Sequence, residues 1–177
     1  ERFRAYGTAS PGVISVVRVA TDVMATVSFV TLGVAGTVLL AAGGRRRAAG
    51  LCAAVTAAVP VLWSLMHWAL HRPRPVDGFV AIDSNGFPSG HTSHAAATAL
   101  LVALLLWPRL STARRALVVT LGAILAVGVG LSRVALLAHW PSDVLGGWLL
   151  SLAVVPALAL AFTGRAAAPG DSARPAA

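Results

Sequence analysis

Five long apolar stretches divide the chain, and its polar residues collect in the segments between them. The first stretch covers Thr21–Ala42 and is entered by an interfacial segment from Val13. The others are Ala48–Leu70, His91–Trp107, Ala116–Ala138 and Pro141–Phe162. A helix needs about 20 mostly apolar residues, at about 1.5 Å rise each, to cross a bilayer. The pattern therefore predicts an all-α fold, a polytopic transmembrane helix bundle with five spans. Small residues let membrane helices approach closely. Gly33, Gly36, Gly122, Gly128, Gly130, Gly146 and Gly147 are accordingly expected at helix contacts. Three regions follow: an interfacial segment over 1–20, a transmembrane domain over 21–165, and a disordered tail over 166–177 rich in Ala and Pro.

Composition narrows the class. Of the 177 residues 57% are hydrophobic and 11% charged, and the mean hydropathy is +0.80. Soluble domains carry roughly 25% charged residues, so lipid is this chain's solvent. The lone Cys52 sits inside a span and excludes an intrachain disulfide.

The net charge of +8 comes from arginine alone. Nucleic-acid binding would gather these arginines on one soluble face, but here they punctuate the spans, and no nucleic acid is expected. Arg45, Arg46 and Arg47 follow the first span, Arg109, Arg114 and Arg115 the third, Arg165 and Arg174 the fifth. Alternating spans put all three groups on one side, which the positive-inside rule makes cytoplasmic. The opposite side of the plasma membrane then holds Glu1–Ala20, the long loop His71–Gly90 and the turn Ala138–Trp140. The same parity leaves the N-terminus outside, so a sixth span upstream of Glu1 is expected.

All five histidines, His67, His71, His91, His94 and His139, fall near the outer ends of spans, with Arg72, Arg74, Arg133 and Asp143 beside them. Ionisable groups there are costly unless paired or functional. "HRPRP" (His71–Pro75) must be extended, which aims Arg72 and Arg74 the same way; interfacial snorkelling explains them equally well. In "PSGH" (Pro88–His91), Ser89 suits a helix cap, and the same helix start, with Gly90 allowing close approach, suits an anion. In "SRVALLAHWPSD" (Ser132–Asp143), Pro141 opens a helix, and Asp143 in its first turn either complements the dipole or accepts the Nδ1–H of His139, leaving Nε2 free. Arg133 lies near the same face. Guanidiniums, an anion-binding helix start, a His–Asp pair and a second His are the inventory of phosphoryl transfer. Only Asp77, Asp83 and Asp143 are expected on this side, too few for a Mg²⁺ cluster.

The three segments resemble the signature of the type-2 phosphatidic acid phosphatase superfamily, the lipid phosphate phosphatases: Lys-x₆-Arg-Pro, Pro-Ser-Gly-His and Ser-Arg-x₅-His-x₃-Asp. Pro88–His91 matches the second completely, and Ser132, Arg133, His139 and Asp143 the third. Arg74-Pro75 matches the first, but His67 stands where the family has lysine. The resemblance implies that His139 attacks phosphorus and becomes a phosphohistidine, that Asp143 orients it, and that His91 protonates the leaving group. It implies that Arg74, Arg133, Ser89 and the Gly90 amide hold the phosphate oxygens, without a metal or other cofactor. His67 would replace the lysine charge as imidazolium, donate one hydrogen bond as imidazole, or face the core while Arg72 supplies the charge. His94, three residues past His91, is expected to hydrogen-bond a neighbouring helix rather than line a lipid entrance; His71 is read as interfacial.

The expected activity is removal of phosphate from a membrane lipid phosphate or pyrophosphate, such as polyprenyl pyrophosphate, phosphatidylglycerol phosphate or phosphatidic acid. The motifs read the phosphate and not the tail, and nothing in them bears on oligomeric state. Two other readings stand beside this one. A metal-dependent hydrolase would use His91, His94, His139 and Asp143, but lacks a His-Glu-x-x-His segment and a glutamate base. A non-catalytic carrier of anionic lipid would leave the His–Asp pair beside an arginine unexplained.

Overall fold

The computed structural model describes residues 2–80 and 84–164. Glu1, Asp83, Arg165, Arg174 and the tail over 166–177 lie outside them. Seven α-helices follow in order: α1 (Arg2–Ala9), α2 (Pro11–Asp22), α3 (Thr26–Ala42), α4 (Arg46–Ala69), α5 (Gly90–Leu106), α6 (Thr112–Ala135) and α7 (Pro141–Gly164). A 3-10 turn, Trp107–Arg109, extends α5. There is no strand among the described residues. Among the described residues, five helical segments are long and apolar enough to cross a membrane: Pro11–Ala42, Arg46–Ala69, Gly90–Arg109, Thr112–Ala135 and Pro141–Phe162. The chain is thus an all-α transmembrane bundle.

α5 is the central helix, packed against α3, α4, α6 and α7. Its composition permits this. Gly90, Ser93, Ala95, Ala96 and Ala97 are all buried, so neighbours reach its backbone. The core joins Phe29 of α3, Leu51, Cys52, Val55 and Val59 of α4, Ala97 and Leu101 of α5, and Val155 of α7. Outside this core the surface is greasy: Val27, Leu39, Leu65, Ile124 and Leu160 are all exposed. Such continuous apolar exposure suits lipid and not water.

Most span ends fall within a few residues of the expected ones, α6 beginning at Thr112 instead of Ala116, and two of the differences shape the site. The first apolar stretch is not one helix, because α2 ends at Asp22 and α3 begins at Thr26. Ala25 between them is extended, with φ −65° and ψ 159°. Thr21 turns inward here to Arg133 of α6, and the exposed Asp22 lies beside His91 of α5, contacts that an uninterrupted apolar helix would not provide. The fourth span was expected to reach Ala138 but α6 stops at Ala135. Leu137 takes the left-handed region (φ 51°). Its N–H bonds to the Val134 carbonyl at 3.0 Å, and that of Ala138 to Arg133 at 3.1 Å. This is a Schellman closure without glycine, at a conformational cost of roughly 1–2 kcal/mol for leucine. It frees Leu136–Trp140 as a loop.

Five of the seven expected packing glycines, Gly33, Gly122, Gly130, Gly146 and Gly147, sit at tight contacts, and Gly36 lies at ordinary contact distance, 3.5 Å, from Cys52. A side chain at Gly147 would lie 2.8 Å from the Ser89 carbonyl, and one at Gly130 2.7 Å from Trp148. Gly128 is the exception, with nothing within 4 Å; it is not a packing position.

Candidate active site

The C-terminal ends of α4 and α6, the N-terminal ends of α5 and α7, and the α2–α3 break meet at one end of the bundle. Backbone bonds tie them together. The Ser89 N–H donates to the Asp143 carbonyl at 3.0 Å, and the Gly86 N–H to the Arg72 carbonyl at 2.7 Å. Arg45 and Arg115 lie at the other end, where their guanidiniums bond to the carbonyls of Leu105 and Trp107.

His139 is the hub. It is buried in the loop between α6 and α7. Its Nδ1 lies 2.8 Å from the Gly86 carbonyl and 3.5 Å from Asp143 Oδ2. A carbonyl can only accept, so Nδ1 holds the proton and Nε2 presents a lone pair. That lone pair faces Arg74, whose NH1 is 3.0 Å away. Burial lowers the His139 pKa below its ordinary value; Asp143 opposes the shift, while Arg74 and Arg133 add to it. His139 is thus held neutral, as a nucleophile requires.

Asp143 does reach His139, but the shorter Nδ1 contact belongs to Gly86. The carboxylate is shared three ways. Oδ2 also accepts the Trp140 N–H at 2.9 Å, which caps the first turn of α7 from its third residue. Oδ1 is 3.1 Å from Arg72 NH1. A side chain at Gly86 would meet Asp143 Oδ2 at 3.1 Å and the Arg72 carbonyl at 3.4 Å, so only glycine fits there comfortably.

The arginines hold different posts. Arg74 bridges the loops, donating to the Ser84 carbonyl at 2.9 Å and the Ala138 carbonyl at 2.8 Å. Burial lowers its pKa, with Asp143 opposing; a guanidinium stays charged regardless. Arg133 on α6 is fully buried. Its NH1 donates to Thr21 Oγ1 at 3.1 Å and its Nε has no partner. A buried cation with an unpaired donor is costly, so this one is poised for an anion.

Ser89 occupies the N-cap position of α5, but its side chain makes no capping bond. Its Oγ accepts from Thr92 Oγ1 at 3.0 Å, leaving its own proton to donate elsewhere. Gly90 is pressed under the indole of Trp63, where a side chain would lie 3.0 Å from the ring. Trp63 Nε1 in turn donates to the Pro88 carbonyl at 3.0 Å. His91 follows, half-buried, with its Nε2 3.6 Å from Asp22 Oδ1. His67 lies against the Trp63 ring at 5.1 Å and opens with Ser64, Trp68, Ser84 and Asn85 on a polar cleft. Its carbonyl accepts from Asn85 Nδ2 at 2.8 Å, and its Nδ1 is unpaired.

His94 is fully buried and stacked on Phe29 of α3 at 4.8 Å. The polar group that faces it is the Met24 backbone in the α2–α3 break, without ordinary hydrogen-bond geometry at either ring nitrogen. His71 is exposed, as expected of an interfacial residue.

Four neighbours of these groups were not singled out from the sequence: Gly86, Trp63, Thr21 and Asp22. The count of carboxylates on this side must also be corrected, since Asp22 joins it through the helix break. A Thr-Asp pair interrupting an apolar run was the available signal. Among the described residues no three His, Cys, Asp or Glu side chains converge as metal ligands do.

A sequence profile of the PAP2 superfamily matches residues 48–166. Phosphatidylglycerophosphatase B of Escherichia coli strain K12 is 48% identical over 69 residues, which are 39% of this chain and 26% of that protein. The protein of the same name from Shigella flexneri matches to the same extent. The chain thus aligns with about a quarter of the length of these relatives. The crystal structure of a transmembrane PAP2-type phosphatidylglycerolphosphate phosphatase from Bacillus subtilis superposes with a TM-score of 0.54 at 25% identity, covering 92% of this chain and 86% of that one. With the profile covering more than half its length and the same helical bundle beneath it, this chain is a member of the PAP2 superfamily.

Proposed function

We propose that the protein is an integral membrane phosphatase that removes phosphate from lipid phosphates or pyrophosphates through a phosphohistidine on His139, without a metal. One observation carries the reading: the Nε2 lone pair of His139 faces the Arg74 guanidinium in a buried setting that keeps the ring neutral. A phosphate drawn to Arg74 arrives within reach of that lone pair. The names of the relatives point the same way, being phosphatidylglycerophosphatases.

The steps follow from the groups present. Arg74, Arg133 Nε, the Ser89 hydroxyl and the first-turn amides of α5 at Gly90 neutralise the phosphoryl oxygens. His139 Nε2 attacks phosphorus as the bond to the lipid oxygen breaks, and His91 protonates that oxygen. A water then gives its proton to His91 and attacks phosphorus. The P–N bond breaks and phosphate leaves. The Gly86 carbonyl and Asp143 hold the Nδ1 proton throughout and offset the positive charge that develops on the ring.

Phosphatidylglycerol phosphate, polyprenyl pyrophosphate and phosphatidic acid are all candidate substrates. The site lies at the end of the bundle away from Arg45 and Arg115, which argues for the extracytoplasmic face of the plasma membrane. There α1 and α2 would lie along the interface, with Val13, Val16 and Val19 of α2 exposed toward lipid. Phosphate release from a panel of these three lipids in detergent, with and without EDTA, tests the reading. Turnover that persists in EDTA and vanishes in His139→Ala is the expected result. No release from any of them would overturn it.

A further inference from the structure

The α2–α3 break brings a second carboxylate to the site, and none of the three signature motifs contains it. Asp22, at the end of α2, places Oδ1 3.6 Å from His91 Nε2. That is too long for a hydrogen bond, but within ion-pair distance once His91 holds a second proton. The segment is pinned next door, where Thr21 Oγ1 accepts from the buried Arg133 at 3.1 Å. His91 Nε2 is buried with no hydrogen-bond partner of its own. Asp22, by contrast, is mostly exposed, with 58% of its side chain accessible, so it is not a buried structural ion. The two histidines of the site thus each have a carboxylate: Asp143 for His139 and Asp22 for His91.

We propose that Asp22 is a positioning residue for the proton-donating step: it keeps one proton of His91 on Nε2 and so makes Nδ1 the nitrogen that serves the substrate. This rests on the reading of His91 as the acid. In the first step the Nδ1–H bond of the imidazolium breaks and an O–H bond forms on the lipid oxygen. The electron pair of the breaking P–O bond goes to that oxygen. The neutral imidazole left behind retains Nε2–H toward Asp22. In the second step Nδ1 takes a proton from water, whose oxygen bonds to phosphorus as the P–N bond breaks, and the electron pair returns to His139 Nε2. A carboxylate in second contact with an acid or base fixes its tautomer and its aim.

The test exploits leaving-group chemistry. An alkyl alkoxide needs a proton to depart; a nitrophenolate does not. The rate to read is the first release of alcohol or nitrophenolate within one turnover, before water attacks and His91 acts as base. In the full chain, Asp22→Asn should lower this rate on a long-chain alkyl phosphate about tenfold, a part of the 10²–10⁴-fold that a general acid supplies. It should change the rate on p-nitrophenyl phosphate less than about twofold, and Asp22→Glu should recover most of the alkyl rate. Equal losses of first release on both substrates would mark a merely structural residue and overturn the proposal, as would no loss on either. His91→Ala separates the two readings. If it spares the first release of nitrophenolate and Asp22→Asn does not, only the role of Asp22 falls. If His91→Ala slows first release from both substrates alike, or the unaltered protein hydrolyses neither, the acid assignment falls and Asp22 with it.

Discussion

His139 Nδ1 lies 2.8 Å from the carbonyl oxygen of Gly86, nearer than the 3.5 Å that separates it from Asp143 Oδ2. The tautomer of the candidate nucleophile is therefore set first by a backbone carbonyl and second by a carboxylate. Where a carboxylate alone sets the tautomer of a catalytic histidine, its amide replacement costs about 10⁴-fold in kcat. Here the carbonyl would hold Nδ1–H in either case. Asp143→Asn is expected to cost roughly 10–100-fold in kcat, well short of that figure. A loss of four orders of magnitude would mean that Gly86 contributes little.

The pH profile tests the electrostatics of the same ring. His139 attacks only when neutral, and burial, Arg74 and Arg133 hold its pKa below the ordinary value of 6.5. A lowered pKa keeps the ring neutral further into acid, so activity is lost only as pH falls through that lowered value. The acid limb of kcat/KM is expected below pH 6.5. Asp143 raises the pKa, so Asp143→Asn should move the limb to still lower pH. Movement of the limb upward in that variant would refute the assignment of the limb to His139.

The bundle and most of the cluster were legible in the sequence, for a physical reason. Span length and the spacing of motifs are local properties, and a bilayer turns apolar length directly into a helix. Contacts set by tertiary approach were not. Leu137 ends α6 in a left-handed turn that glycine usually occupies, so the fourth span looked three residues longer. Asp22 reaches the site only because the chain opens at Val23–Ala25, where no proline or glycine marks a break. Gly86 contributes a carbonyl, a group every residue has, so its identity carried no sign of that use.

Position 67 distinguishes its own three readings. His67 lies beside Trp63 on the polar cleft with Nδ1 unpaired, and Arg72 reaches Asp143. His67→Lys, which restores the family residue, should keep or raise kcat/KM, while His67→Ala should raise KM a few-fold. Phosphate release unchanged in His67→Ala would show that the ring does not stand in for the lysine.

A side chain at Gly147 would lie 2.8 Å from the Ser89 carbonyl and 3.1 Å from the Ser93 nitrogen. Gly147→Ala should force α7 from α5, cost about 1–3 kcal/mol, lower Tm in detergent and reduce activity through Ser89. Gly128→Ala, with nothing within 4 Å, should leave Tm and turnover essentially unchanged. Equal behaviour of the two would remove the α5–α7 contact from the account.

Trapping the phosphoenzyme bears most directly on the central claim. The protein would be mixed with ³²P-labelled lipid phosphate, quenched in alkali within one turnover, and mapped by proteolysis. The expected result is an acid-labile, alkali-stable label on the peptide containing His139, absent from His139→Ala and prolonged in His91→Ala. A label on another residue, or full turnover in His139→Ala, would contradict it.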